Sequence, residues 1–255
     1  MKRKVITALL AATMVASLAV GCGNKGGDSK SDSSKSSSSD EITIGFSQVG
    51  AESDWRTANS ESMKSTFSEK NGYKLIFDDA QQKQENQITA IRNFIQQDVD
   101  YIVLAPVTET GWDTVLKEAK DADIPVIIVD RMIDVSDDSL YTAWVGSNFK
   151  MEGQKACEWL NAYAEAKGMK EVNIAHIQGT IGASAQIGRT EGLEEAAKEY
   201  GWNIVAQQTG EFTQAKGQEV MESMLKQHDN INVVTVRMIT KHSEQSMQSK
   251  LLVRQ

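Results

Sequence analysis

From Glu41 onward, short apolar runs alternate with longer segments in which apolar residues return every three or four positions. The runs predict strands at Ile42–Phe46, Lys74–Asp78, Tyr101–Leu104, Val126–Val129, Tyr141–Val145, Val172–His176 and Asn203–Gln208. The periodic segments predict helices at Trp55–Lys70, Lys83–Gln97, Gly111–Ala122, Lys150–Lys167, Ser184–Tyr200 and Thr213–Gln227. Strict strand–helix alternation predicts an α/β fold with parallel sheets flanked by helices on both faces. The rhythm breaks after Asp130, where an irregular stretch runs to Tyr141 and the next strand leads through Gly146, Ser147 and Asn148 into a new helix. That break reads as a crossover between two lobes, residues 41–146 and 147–234. Two such lobes leave a cleft bordered by the carboxyl ends of both sheets, where small ligands lodge. Gly146 and Asn148 can absorb hinge rotations there.

The segment Ile124 to Arg131 carries the most chemistry. Its apolar run reads as a strand buried on both faces, and it delivers Asp130 and Arg131 to the ligand edge of the sheet. A carboxylate only accepts hydrogen bonds and a guanidinium only donates them, so the pair can hold neighbouring hydroxyls. On spacing alone, a salt bridge that closes a loop is an equal reading.

Other polar loops follow the predicted strands. Ser47 to Arg56 offers Ser47, Gln48, Glu52, Trp55 and Arg56. An indole face such as that of Trp55 stacks on the C–H face of a sugar ring. The plainer reading is a helix cap by Ser53 or Asp54 with Trp55 buried, and the two are compatible. Asp78 to Gln84 either reaches the cleft or solvates a loop, and Pro106 to Trp112 reads as cleft wall. The glycine-rich run Gln178 to Arg189 lacks the lysine followed by Ser or Thr that a nucleotide triphosphate site requires, so it reads as a tight turn into a helix. Arg189, early in that helix, points to the cleft or to solvent, and Phe212 can form a second apolar wall. His176, His228 and His242 share no metal-like spacing. No nucleophile or paired-acid constellation is readable, so the expectation is a protein that is not an enzyme and needs no cofactor or metal.

The N-terminal segment changes the picture of where the chain works. Lys2, Arg3 and Lys4 precede an uncharged stretch from Val5 to Ala19 and then Leu18-Ala-Val-Gly-Cys22, which predicts a signal peptide over 1–21. A Cys at the cut resembles a bacterial lipobox, with Cys22 lipidated; Ala19 stands where a Leu is usual. Residues 23–40 hold eight Ser, three Lys and three Asp with no aliphatic or aromatic residue, a flexible tether. Export with a lipid anchor at the outer face of a membrane is the expectation. With Cys22 acylated no internal disulfide is available, and Cys157 reads as a small buried hydrophobe. The chain carries 27 Lys+Arg against 35 Asp+Glu; without Lys2, Arg3 and Lys4 the formal charge moves from −8 to −11. That balance excludes nucleic acid as a partner and suits a neutral ligand.

The residues Gly45 to Gly50, Trp55-Arg56, Gln81 to Gln87, Ala105-Pro106, the block ending in Asp130-Arg131, Gln178-Gly-Thr180 and Gly210 to Thr213 together resemble bacterial ABC-transporter sugar-binding proteins. The likeness is to the ribose/galactose-type periplasmic-binding-protein superfamily, nearest its galactofuranose-binding branch, over roughly Glu41 to Val234. The resemblance implies a monomeric two-lobed receptor that closes on one monosaccharide and delivers it to an ABC permease. It implies hydroxyl binding by Asp130, Arg131 and Arg189, with Ser47, Gln48, Glu52, Trp55, Arg56 and Phe212 lining the cleft. A regulator's sensor domain shares the fold, but export and the lack of a helix-turn-helix before Glu41 speak against it. An envelope enzyme acting on sugars needs paired acids facing the cleft.

The likeness stops after Val234. Thr235 to Gln255 has no clear period and no turn glycine. Back-translated with suitable codon choices and shifted by one nucleotide, it gives Asn-Asp-Asn-Glu-Ala-Phe-Gly-Ala-Ile-Asp-Ala-Ile-Lys-Ala-Ala, the family's expected loop and amphipathic helix. Residues 235–255 therefore read as an out-of-frame tail and the second lobe as incomplete. Uncovered faces and unpaired sheet edges then predict poor folding and no sugar binding by the 255-residue product; a cooperative melt raised by a sugar refutes this.

Overall fold

The computed structural model describes residues 41–236 and 251–253; the signal peptide, the tether and Cys22 lie outside the described residues. Five strands, β1 (Ile42–Gln48), β2 (Tyr73–Asp79), β3 (Tyr101–Leu104), β4 (Val126–Asp130) and β5 (Ala143–Gly146), form a parallel sheet in the order β2-β1-β3-β4-β5. Helices α1 (Asp54–Thr66), α2 (Gln84–Gln96) and α3 (Asp113–Asp121) connect them. The second lobe has strands β6 (Asn173–Gln178), β7 (Asn203–Thr209), β8 (Val233–Val236) and β9 (Leu251–Val253) in the order β7-β6-β8-β9. Its helices are α4 (Phe149–Lys167), α5 (Ser184–Tyr200) and α6 (Gln214–Gln227). The two-lobed α/β arrangement read from the alternation is the one observed. Among the described residues no helix is long and apolar enough to cross a membrane.

The central strands β1, β3, β6 and β8 are buried on both faces, which is why they read as apolar runs rather than alternations. In the first lobe Ile102, Leu104 and Ile128 pack under α2 and α3, while Ile44, Phe46 and Val103 face the side of Met63 and Phe67 on and beside α1. In the second, Ile174 and Val233 pack with Cys157, Leu160 and Leu193 of α4 and α5; Ala175, Ile177 and Val234 pack with Val220 and Met224 of α6. Cys157 is thus the small buried hydrophobe its helical position suggests. Helices α4 and α5 meet backbone to backbone: a Cβ on Gly192 would stand 2.8 Å from the Lys150 carbonyl oxygen. His176 is fully buried, with Nδ1 2.6 Å from Thr235 Oγ1 and Nε2 3.1 Å from Thr190 Oγ1.

Boundaries differ from the pattern for local reasons. Helix α1 stops at Thr66 rather than Lys70 because the Asn71 amide donates to the Ser65 and Thr66 carbonyls, and a 3₁₀ turn (Glu69–Asn71) then closes on Gly72 at φ 85°. Helix α3 starts two residues late because Gly111 is left-handed, at φ 91°. Strand β5 starts late because Asp137 caps a 3₁₀ turn at Asp138–Leu140. Strand β8 has too short an apolar run to announce itself, and it extends past Val234 to Val236, two residues into the stretch read as out of frame. Strand β9 lies antiparallel to it at the sheet edge.

The crossover falls where the rhythm broke. Gly146 ends β5 opposite Asp130, and a Cβ there would come within 2.2 Å of the Asp130 carbonyl oxygen, so the position accepts only glycine. Asn148 then caps α4, its Oδ1 accepting from Met151 N at 3.0 Å.

Candidate functional site

The carboxyl ends of β1 and β4 bring four charged residues together. Asp130 is the last residue of β4 and turns the chain left-handed, at φ 63°, a conformation that an Asp tolerates better than most side chains. Its Oδ2 accepts from Arg56 Nη2 at 2.8 Å. Arg56, in the first turn of α1, also donates through Nε to Glu52 Oε1 at 3.1 Å. Arg131 donates through Nη1 to the Val107 carbonyl at 3.1 Å, with Nη2 3.7 Å from Glu52 Oε1. Glu52, Arg56 and Arg131 are almost wholly buried. The pair Asp130-Arg131 is therefore not one salt bridge closing a loop: each partner reaches a different residue.

Burial pulls the Arg131 guanidinium down to about 10, helped by repulsion from Arg56 and opposed by Asp130 and Glu52. It stays cationic at neutral pH. Arg189 adds to the same repulsion, so Arg131 feels two other guanidiniums.

Aromatic rings flank the cluster. The Arg56 guanidinium lies 4.8 Å from the centre of the Trp55 ring, and Trp55 is about one-third exposed. The Arg131 guanidinium lies 5.0 Å from the Phe212 ring, which comes from the second lobe. Phe212 is itself left-handed, at φ 57°, and its ring occupies the space beside Gly179, where a Cβ would come within 1.9 Å of Cζ. Trp55 is not buried as a simple capping reading requires, although Ser53 Oγ does cap α1 by accepting from Arg56 N.

The remaining expected residues fall into two kinds. Ser47 is fully buried and its hydroxyl has no hydrogen-bond partner. Gln48 is also fully buried, but its amide is committed: Nε2 donates to Asn59 Oδ1 and Ser60 Oγ, and Oε1 accepts from Val49 N. Gln48 ties β1 to α1 and sets where Arg56 stands. Arg189 is neither solvated nor bare: Nε and Nη2 both donate to Glu152 Oε2, at 2.9 and 2.8 Å, and its guanidinium lies 4.8 Å from the Phe149 ring. Glu152 and Phe149, in the first turn of α4, were not legible as site residues; a contact between positions 152 and 189 leaves no trace in one sequence.

Among the described residues, three buried polar atoms around this cluster lack a partner: Glu52 Oε2, an acceptor; Arg56 Nη1, a donor; and Ser47 Oγ, which is both. Buried polar groups are seldom left unsatisfied without reason, and an unmet donor on Arg56 and an unmet acceptor on the Glu52 that it pairs with match the double character of a hydroxyl. Lobe-to-lobe contacts border the same place: Glu109 N donates to the Gly182 carbonyl at 2.8 Å and Met132 N to Ser184 Oγ at 2.9 Å.

Residues 44–239 match the family model for the periplasmic binding protein domain. The chain belongs to this family. As a binding-protein domain it is 50% identical over 190 residues to the galactofuranose-binding protein YtfQ of Escherichia coli K12, covering 74% of this chain and 58% of that protein. A Mycobacterium smegmatis structure in complex with β-D-fucofuranose superposes with TM-score 0.72 at 48% identity, covering 76% of this chain and 63% of that one. The binding protein of the arabinose ABC transporter from Shewanella sp. ANA-3, bound to α- and β-L-arabinofuranose, gives 0.71 at 50% identity, covering 78% and 65%. This binding-protein domain spans about half the length of the curated relatives it matches.

Asp78, across from Ser47 on β2, has one buried carboxylate oxygen without a partner. Burial, and then Asp79, pushes its carboxyl above the usual 3.8. The folded chain thus holds this proton more tightly than the unfolded chain. The linked stability is present at low pH and is lost as the pH rises through the folded value. Asp78→Asn is expected to raise the melting temperature at pH 7, with a gain that shrinks as the pH is lowered towards 3.8; thermal melts across pH check it.

Proposed function

We propose that the chain is the extracytoplasmic sugar-binding component of an ABC importer, taking a monosaccharide in furanose form between its lobes and passing it unchanged to a permease. The observation that carries this is the unpartnered pair Glu52 Oε2 and Arg56 Nη1, buried beside Asp130 and Arg131 and flanked by Trp55 and Phe212. Asp130, Arg131, Glu52 and Arg56 bind hydroxyls; Arg189, held by Glu152, reaches them from the second lobe; Trp55 and Phe212 cover the ring; Ser47 adds a hydroxyl, and Gln48 holds α1 in place. The furanose form is supported by the ligands named for the relatives: galactofuranose, fucofuranose and arabinofuranose. The protein is not an enzyme and acts as a monomer without a cofactor. It is exported, with Cys22 as the lipid anchor and residues 23–40 as the tether.

The test is calorimetric titration of L-arabinofuranose- and galactofuranose-bearing sugars into the 255-residue chain, with recovery of the ligand. Micromolar or tighter binding with unchanged sugar supports the reading; a hydrolysed product sinks it. Residues 235–255 are read as out of frame, and sequencing the DNA over the codons for His228 to Gln255 decides that. If the shift is there, binding by the frame-restored product but not by the present one places the fault in the tail; equal binding by both acquits it.

A further inference from the structure

The loops after β2 and β7 are copies of one another. Gln81 and Gln82 are left-handed, at φ 53° and 61°, and so are Glu211 and Phe212, at 55° and 57°. Asp79 Oδ1 accepts from Gln81 N at 2.9 Å, as Thr209 Oγ1 accepts from Glu211 N at 3.1 Å. Ala80 N donates to the Gln48 carbonyl as Gly210 N donates to that of Gln178, and Lys83 N closes on the Ala80 carbonyl as Thr213 N closes on that of Gly210. In both loops the first left-handed residue is exposed and the second half-buried. Consecutive left-handed residues other than glycine are strained, and such strain concentrates at ligand sites.

Gln82 therefore holds in the first lobe the place that Phe212 holds in the second. Its stem lies against Gly50 as the Phe212 ring lies against Gly179: the Cβ position of Gly50 is 3.3 Å from Gln82 Cγ and 3.4 Å from Glu52 Oε2. The second atom is the buried carboxylate oxygen that has no partner. No hydrogen bond from the Gln82 side chain is formed among the described residues, so its amide is uncommitted, and its stem and Glu52 Oε2 approach the same point beside Gly50.

We propose that Gln82 reads the sugar from the first-lobe side, its amide hydrogen-bonding the same ring hydroxyl that Glu52 Oε2 accepts from. An amide both donates and accepts, as a hydroxyl does, so the two groups complete each other's bonding. This rests on the sugar-receptor reading and adds a specificity residue to it.

The informative substitution is Gln82→Gly in the full chain. Glycine relieves the positive φ, so the melting temperature is expected to rise. Affinity for the furanose is expected to fall about 3- to 10-fold, the worth of one neutral hydrogen bond. Stability and affinity moving in opposite directions separates a lost contact from a damaged fold. A panel of monodeoxy furanoses completes the test: one analogue should bind the unaltered and Gln82→Gly proteins equally. Unchanged affinity of Gln82→Gly for the parent sugar, or an equal loss for the parent and every analogue, overturns the inference. If the unaltered chain binds no sugar, the same measurements are made on the frame-restored product, and no binding of any sugar by that product overturns the receptor reading and the inference with it.

Discussion

Replacing Asp130 by Asn is expected to weaken furanose binding by about 3- to 30-fold while leaving the fold in place. The substitution keeps the side-chain shape, and Asn, like Asp, tolerates the left-handed conformation at φ 63°. What it removes is charge. The carboxylate is a charge-assisted acceptor, and such hydrogen bonds contribute about 1.5–3 kcal/mol each against about 1 for neutral ones; each 1.4 kcal/mol is about tenfold in affinity. Asp130 also holds Arg56 Nη2 at 2.8 Å, so the Asn variant loosens the neighbouring donor as well. Alanine is the poorer test, because it adds strain at a positive φ to the loss of the acceptor. Titration calorimetry of the Asn variant measures the effect. An affinity within threefold of the unaltered chain would move the acceptor role from Asp130 to Glu52, the only other carboxylate bonded to Arg56 among the described residues.

The strands that end at the cleft were legible because burial on both faces makes them apolar runs: Val126–Val129 could only be a parallel strand, and its end placed Asp130 and Arg131. Their partners were not legible. Sequence alone offered Asp130 against Arg131; the structure gives Asp130 to Arg56, 74 positions away, and Arg131 to the Val107 carbonyl and Glu52. Gln48 is polar and ends β1, yet the three bonds that consume its amide are with Asn59 and Ser60 of α1 and the backbone N–H of Val49. The left-handed pairs Gln81-Gln82 and Glu211-Phe212 were hidden because neither contains the glycine that usually marks such a turn. The end of α1 was missed because an Asn side chain, not a glycine or proline, takes up the last carbonyls.

Glu52→Ala is expected to produce the largest loss of stability of any single change at this site, about 3–5 kcal/mol, the usual consequence of stranding a buried charge. Glu52 Oε1 serves two guanidiniums, Arg56 Nε at 3.1 Å and Arg131 Nη2 at 3.7 Å, and all three side chains are at most 4% exposed. Without it, two buried cations face each other with Asp130 as their remaining carboxylate in the cluster. The surface pair Arg92–Glu118 is the internal control: it is geometrically better, with two contacts at 2.8 Å, but 48% and 39% exposed. Water already solvates those charges, so Glu118→Ala should be near neutral. Distance therefore ranks the pairs one way and burial the other, and urea unfolding of the two variants decides between them. The slope m should stay constant if the Glu52 variant still unfolds from the same compact state. A loss for Glu52→Ala no greater than that for Glu118→Ala would mean that water reaches Arg56 and Arg131. The cluster would then serve ligand binding alone, and its unpartnered atoms would impose no strain on the folded chain.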